Sequence, residues 1–91
     1  MTPAPAPNVR VRFWASARAA AGTPELTLEL PGDVTVGLLR TLVTEALPDR
    51  AGLSRVLGVC SVLIGEEPVH DEDAPVAPGV SVEFLPPFAG G

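Results

Sequence analysis

Two alternating segments near opposite ends of the chain, with one amphipathic helical stretch between them, restrict the folds open to it. Val9-Arg10-Val11-Arg12-Phe13-Trp14-Ala15 alternates with period two, the spacing of a strand with one buried face. Val9, Val11, Phe13 and Ala15 are expected to face the core, with Arg10, Arg12 and Trp14 facing away. Val80-Ser81-Val82-Glu83-Phe84-Leu85 is the last strand. Between them, apolar residues at Leu39, Leu42, Val43, Ala46 and Leu47 recur at helical spacing. They predict a helix over Val36–Leu47, with Thr35 as its N-cap and Pro48 as its stop. A helix with a single apolar stripe is stable once that stripe lies on one sheet face.

The remaining segments fill in such a sheet. Ser16 is placed to cap a short helix over Ala17–Ala21, stopped by Gly22. Glu25–Leu30 alternates again and directs Leu26, Leu28 and Leu30 inward, and Pro31-Gly32-Asp33 turns the chain. A short link suits a hairpin between the first two strands. Leu53–Leu57 adds a helical turn. Val59–Ile64 is apolar and β-branched, as in a buried strand, and Val69-His70 is a very short one. Asp71-Glu72-Asp73 opens a polar loop running to Pro78-Gly79. Gly22, Gly65 and Gly79 read as turn residues. The order predicts an α+β, β-grasp (ubiquitin-like) domain. It has a mixed four- to five-stranded sheet, the first and last strands parallel at its centre, and one main helix packed across it. Three regions are expected: a disordered Pro/Ala leader over 1–8, the β-grasp domain over 9–85, and a flexible tail over 86–91.

Composition removes several function classes. Ninety-one residues, 46% hydrophobic and 19% charged, suit one folded domain with little room for a deep enclosed site. Eleven acids against six arginines give a net charge of −5, which disfavours nucleic acid and favours a basic protein partner. No apolar run approaches the roughly 20 residues of a membrane span, and no signal peptide is evident. Cys60 is the only cysteine, so an internal disulfide is excluded and a cytoplasmic setting is expected. Lysine is absent, so beyond an N-terminal amine the chain offers no amine for acylation.

The last residues carry the chemistry. Gly90-Gly91 follows Leu85-Pro86-Pro87-Phe88-Ala89. Without Cβ atoms, two glycines can thread a narrow channel and leave the terminal carbonyl open to nucleophiles on either face. Such a carboxylate suits activation as an acyl-adenylate and later transfer. Pro86-Pro87 stops sheet pairing and stiffens the exit.

These residues resemble the small, sulfur-carrier subunit of molybdopterin synthase, within the ubiquitin-like sulfur carriers. The resemblance rests on Val11–Ala15 with Ala17-Arg18 and Gly22; Thr35-Val36 with Leu38-Leu39; Val62-Leu63-Ile64-Gly65; Pro78-Gly79 before Val80-Ser81-Val82; and Leu85–Gly91. The segment Leu57–Ser61 is similar to an actinobacterial branch. The resemblance implies that an E1-like enzyme adenylates the Gly91 carboxylate with ATP, and that a persulfide sulfurtransferase converts it to a thiocarboxylate. The large synthase subunit then holds the tail while sulfur passes to cyclic pyranopterin monophosphate in molybdenum cofactor biosynthesis. It also implies a two-plus-two heterotetramer with that subunit, a chain without independent activity, and no permanently bound cofactor. Pro86, Pro87, Phe88, Ala89 and Gly90 would contact the partner. Trp14, an outward aromatic, is a further candidate contact. A sulfur carrier for thiazole, cysteine or natural-product synthesis, and a ubiquitin-like modifier of lysines, share the same tail chemistry.

Other candidates read as structural. Cys60, among apolar neighbours, suits inert core better than a relay thiol. His70 lacks the neighbours of a general base, and Asp71, Glu72 and Asp73 match no calcium loop, so no metal site is expected.

Overall fold

A computed structural model describes residues 7–87. Its elements are β1 (Asn8–Phe13), α1 (Ala15–Ala21), β2 (Glu25–Glu29), β3 (Val34–Thr35), α2 (Val36–Ala46), α3 (Leu53–Val59), β4 (Ser61–Ile64), β5 (Glu67–Val69), β6 (Pro75–Val76) and β7 (Ser81–Leu85). Five strands form one sheet in the order β2-β1-β7-β4-β5, and β3 pairs with β6 in a separate two-stranded ribbon. The strands β1 and β7 run parallel at the centre, Val11 beside Val82 and Phe13 beside Phe84, and the other pairings are antiparallel. The fold is the β-grasp expected from the alternation at the two ends of the chain.

The core lies between one sheet face and the helices. From the sheet come Val9, Val11, Phe13, Val62, Val82 and Phe84; from α2 come Val36, Leu39 and Val43; from α1 and α3 come Ala17, Ala21, Leu53 and Leu57. Each large side chain fully removed from water contributes about 1.5–3 kcal/mol relative to exposure. Phe13 and Phe84 stack across the central pair, ring centroids 6.2 Å apart.

Several local expectations are corrected. The first strand runs from Asn8 to Phe13, and Ala15 is exposed at the start of α1 rather than facing the core. The cause is local: Trp14 keeps an extended backbone, but Ala15 takes φ 49°, which ends the strand. Trp14 therefore occupies the N-cap, and Ser16, the expected cap, lies inside the helix with a buried hydroxyl that has no partner among the described residues. Gly22 ends α1 in the left-handed conformation, its amide donating to the Arg18 carbonyl, as expected of a glycine stop. Thr35 caps α2 as expected, its hydroxyl accepting from the Leu38 amide. The α2 stripe is rotated slightly: Val36, Leu39 and Val43 are buried, Leu42 and Leu47 half-buried, and Ala46 exposed. Val59 belongs to α3 and is 54% exposed, so the next strand begins at Ser61. Leu53 and Leu57, one turn apart, commit this stretch to a helix by burying one side of it. The expected 71–79 loop contains β6, whose Val76 is buried, and the short fifth strand spans Glu67–Val69 rather than Val69-His70.

Candidate functional site

The site is the end of the sheet from which the C-terminal segment leaves. Strand β7 is held on both sides, by β1 and by β4, where Ser61 stands opposite Leu85. The Trp14 amide donates to the Phe84 carbonyl at 3.2 Å and prolongs the central pairing past the end of β1. Pro86, expected in the tail as a partner contact, is instead buried against the body, and Pro87 is the first exposed residue past β7. From there to residue 91 an extended chain reaches about 17 Å at roughly 3.3–3.6 Å per residue. Phe88, Ala89, Gly90 and Gly91, the remaining predicted tail residues, lie outside the described residues.

Trp14 is the predicted partner contact that lies outside the tail, beside this exit. It is 41% exposed and held on both sides. Its indole N–H donates to Glu83 Oε1 at 3.0 Å, and the Arg12 guanidinium carbon sits 5.1 Å from its ring centroid. The Arg12 Nη1 also lies 3.9 Å from Glu83 Oε1. Arg12 and Glu83 are opposite one another in the β1–β7 register and both point away from the helices, so the central parallel pairing brings the three together. Sequence reasoning singled out Trp14 but missed Glu83. Its signal was present, an outward carboxylate on a strand expected to pair with the strand of Arg12. Around them on the outer sheet face lie Ser61, Leu63 and Leu85, set by the β4–β7 register. A rigid indole lies beside the root of the tail, and the carboxylate next to it is already engaged.

Arg40 is the second residue that sequence reasoning missed. From α2 it reaches across the helix layer. Its Nη1 donates to the Leu57 carbonyl, its Nη2 to the Cys60 carbonyl at 3.4 Å, and its Nε and Nη2 to the Glu72 carboxylate at 2.9–3.2 Å. Its guanidinium carbon stands 5.6 Å from the Phe84 ring centroid. One side chain thus ties α2, the end of α3 and the 71–74 loop over the strand that leads to the tail. Partners 17 to 32 positions away leave no mark in local sequence.

Cys60 is 6% exposed, and burial pushes its thiol up from 9.0 to about 11, the Arg40 charge offsetting only part of this. A thiol so placed stays protonated near neutral pH and is a poor nucleophile. Glu72 is engaged by Arg40 and Asp71 accepts from the Asp73 amide at 2.9 Å. His70 is exposed. Among the described residues no group of three or more His, Cys, Asp or Glu side chains is arranged to hold a metal. No helix there is long and apolar enough to cross a membrane.

Comparison with known proteins agrees with this geometry. The ThiS family matches residues 11–91. The chain is similar to small archaeal modifier protein 1 of Haloferax volcanii, at 25% identity over 90% of this chain and 99% of that one, with a TM-score of 0.76. A putative molybdopterin converting factor subunit 1 from Pyrococcus furiosus shares the fold at 22% identity, 91% and 100% coverage and a TM-score of 0.76. So does a complex of subunits 1 and 2 of molybdopterin-converting factor from Helicobacter pylori, at 24% identity, 92% and 99% coverage and a TM-score of 0.62. No curated protein matches the chain. A β-grasp body with an exit at its central strand, and a family match that continues to residue 91, lead to one assignment: the chain belongs to the ThiS family of ubiquitin-like sulfur carriers.

Proposed function

We propose that this protein is the sulfur-donating small subunit of molybdopterin synthase, a cytoplasmic carrier whose reactive group is the Gly91 carboxylate. The observation that carries the reading is the placement of the exit. Strand β7 is anchored between β1 and β4 and Pro86 is buried, so the residues beyond can enter a partner's pocket while the body docks outside.

In this reading an E1-like partner supplies ATP. A Gly91 carboxylate oxygen attacks the α-phosphorus, pyrophosphate leaves, and the acyl-adenylate forms. A persulfide sulfur then attacks the carbonyl and displaces AMP; a second thiolate of the sulfurtransferase attacks the enzyme-side sulfur of the acyl disulfide, forming a protein disulfide and releasing the thiocarboxylate. The large subunit holds Pro87–Gly90 with the thiocarboxylate facing cyclic pyranopterin monophosphate; the sulfur bonds to the substrate, and water hydrolyses the resulting thioester to return the Gly91 carboxylate. Trp14 contacts the partner at the mouth of that pocket. Its ring needs little ordering on binding because Glu83 and Arg12 already hold it. The complex of subunits 1 and 2 from Helicobacter pylori supports a large-subunit partner.

A second reading, a carrier or protein modifier serving another acceptor, is favoured by the likeness to small archaeal modifier protein 1. One experiment tests the shared chemistry and then separates the two. The full chain and a variant lacking Gly91 are co-expressed with the host activating enzyme and weighed intact. The full chain is expected to gain the mass of sulfur for oxygen, and the shortened one to gain nothing while melting at the same temperature. Sulfur on the shortened chain would refute the carrier reading. Adding purified loaded protein to the large subunit and cyclic pyranopterin monophosphate then distinguishes molybdopterin formation from high-mass conjugates on lysines.

A further inference from the structure

The charges that remain after ion pairing are sorted along the strand axis. Three of the six arginines are paired among the described residues: Arg10 with Glu25 at 2.8 Å, Arg12 with Glu83 at 3.9 Å and Arg40 with Glu72 at 2.9 Å. The other three, Arg18, Arg50 and Arg55, are exposed. All three sit at the end from which the tail leaves. Arg18 is on α1, which follows directly from the end of β1; Arg55 is on α3, which leads into the start of β4 opposite Leu85. Arg50 lies in the link before α3 and reaches the stop of α1, where a Cβ on Gly22 would stand 3.1 Å from its guanidinium.

The opposite end carries acids without ion-pair partners among the described residues. Glu29 stands at the end of β2 opposite Asn8, and Asp33 lies just before β3. Glu66 and Glu67 form the β4–β5 turn, where the Gly65 amide meets the Ser81 carbonyl at the start of β7. No unpaired arginine accompanies them. Glu45 and Asp49, at the end of α2 and just beyond it, share the tail end, so three arginines stand there against two acids among the described residues. A chain of net charge −5 is repelled by an acidic surface in most orientations. The arginine end is the exception, and it is the end bearing the tail.

We propose that Arg18, Arg50 and Arg55 form a docking edge beside the tail root that fits a carboxylate-rich rim on the activating enzyme that loads the tail. The proposal rests on the sulfur-carrier reading for the identity of that protein. It changes the expectation drawn from net charge alone, which favours a basic partner; the distribution favours an acidic rim approached tail first. Fields of this kind raise association rates by about 10–1,000-fold and fade with salt.

Two measurements on the full-length protein test it. In the first, the chain is titrated with anionic and cationic nitroxides and backbone relaxation is followed by NMR. The anionic probe is expected to act about twice as strongly as the cationic one at residues 18, 50 and 55, with the order reversed at Glu29, Asp33 and Glu66. Equal ratios at both ends would overturn the proposal without a partner being involved. In the second, sulfur loading by the activating enzyme is followed at limiting carrier. Combined Arg18→Glu, Arg50→Glu and Arg55→Glu is expected to lower kcat/KM about tenfold at low salt, mostly through KM, with the loss shrinking by about 0.5 M salt. Glu66→Arg with Glu67→Arg is expected to leave it unchanged or higher. Arg55→Glu alone, at one exposed helical position, guards against misfolding of the triple variant and is expected to cost about threefold. Normal loading of the parent chain with no effect of any arginine reversal refutes the docking edge alone; no loading of the parent chain refutes the sulfur-carrier reading itself.

Discussion

At the scale of single residues, Arg40 and Cys60 make the clearest predictions. Replacing Arg40 with Ala leaves the Leu57 and Cys60 carbonyls short of a donor and removes the link to Glu72. The cost is expected to be about 2–3 kcal/mol, read as a lower urea midpoint at unchanged slope. Arg40→Lys is expected to recover little, because an ammonium cannot reproduce the planar fork that serves two carbonyls and a carboxylate together. The ion pair with Glu72 is the smaller part, since that carboxylate is largely in water. For Cys60 the folded thiol holds its proton up to about pH 11 and the ordinary thiol up to 9.0. Stability from this group is therefore complete below pH 9 and is lost as pH rises from about 9 to 11. Urea titrations across that window should show a fall in the parent chain that Cys60→Ala lacks. The same burial should leave the thiol unalkylated by iodoacetamide at pH 7.5 until denaturant is added. Trp14 was legible as an outward aromatic from alternation alone, on the same face as Arg12; Glu83 was not linked to it, because it lies 69 positions away.

At the scale of elements, α2 is the most legible part of the chain. Its cap and length follow from Thr35 and Pro48, its end falls one residue from the expected one, and of the expected stripe Leu39 and Val43 are fully buried while Ala46 is exposed. The first turn is well satisfied: the Val36 and Gly37 amides donate to the Ala74 and Glu72 carbonyls at 3.0 and 2.9 Å, and the Leu38 amide to Thr35. Thr35→Ala frees the Leu38 amide and is expected to cost about 1 kcal/mol in thermal or urea unfolding. Thr35→Ser is expected to be nearly neutral because its hydroxyl can still accept. Shorter elements were harder to read. The β3–β6 ribbon joins two-residue strands whose pairing sets Val34 against Val76, and two residues are too few to show a period. Val59 illustrates the opposite difficulty. Its β-branched side chain favours a strand, but the helix that buries Leu53 and Leu57 carries it outward.

At the scale of the whole molecule, the parallel β1–β7 pair organises both stability and function. It joins residues about 70 positions apart, is flanked on both sides, and contributes Val9, Val11, Phe13, Val82 and Phe84 to the core. Opening it requires loss of the whole core. Amide exchange followed by NMR should therefore be slowest in the interiors of β1 and β7, at rates set by global unfolding. The edge strands β2 and β5 should exchange through local fraying. Slower exchange in β5 than in β7 would contradict this account. The same pair places β7, which leads to the C-terminal residues, between two neighbouring strands.

The amino-acid sequence by itself determined the α+β class, the central helix, the outward position of Trp14 and the lone, apolar-flanked Cys60, because each is set by spacing within a dozen residues or by composition. Only the tertiary structure decided the rest: that Glu83 and Arg12 clasp Trp14, that Arg40 spans two helices and a loop, that Pro86 belongs to the body, and that the arginines without ion pairs among the described residues gather at the exit. These depend on which distant segments the sheet brings side by side. Charge and hydrogen-bond partners are chosen by distance in space, and local pattern carries no record of it.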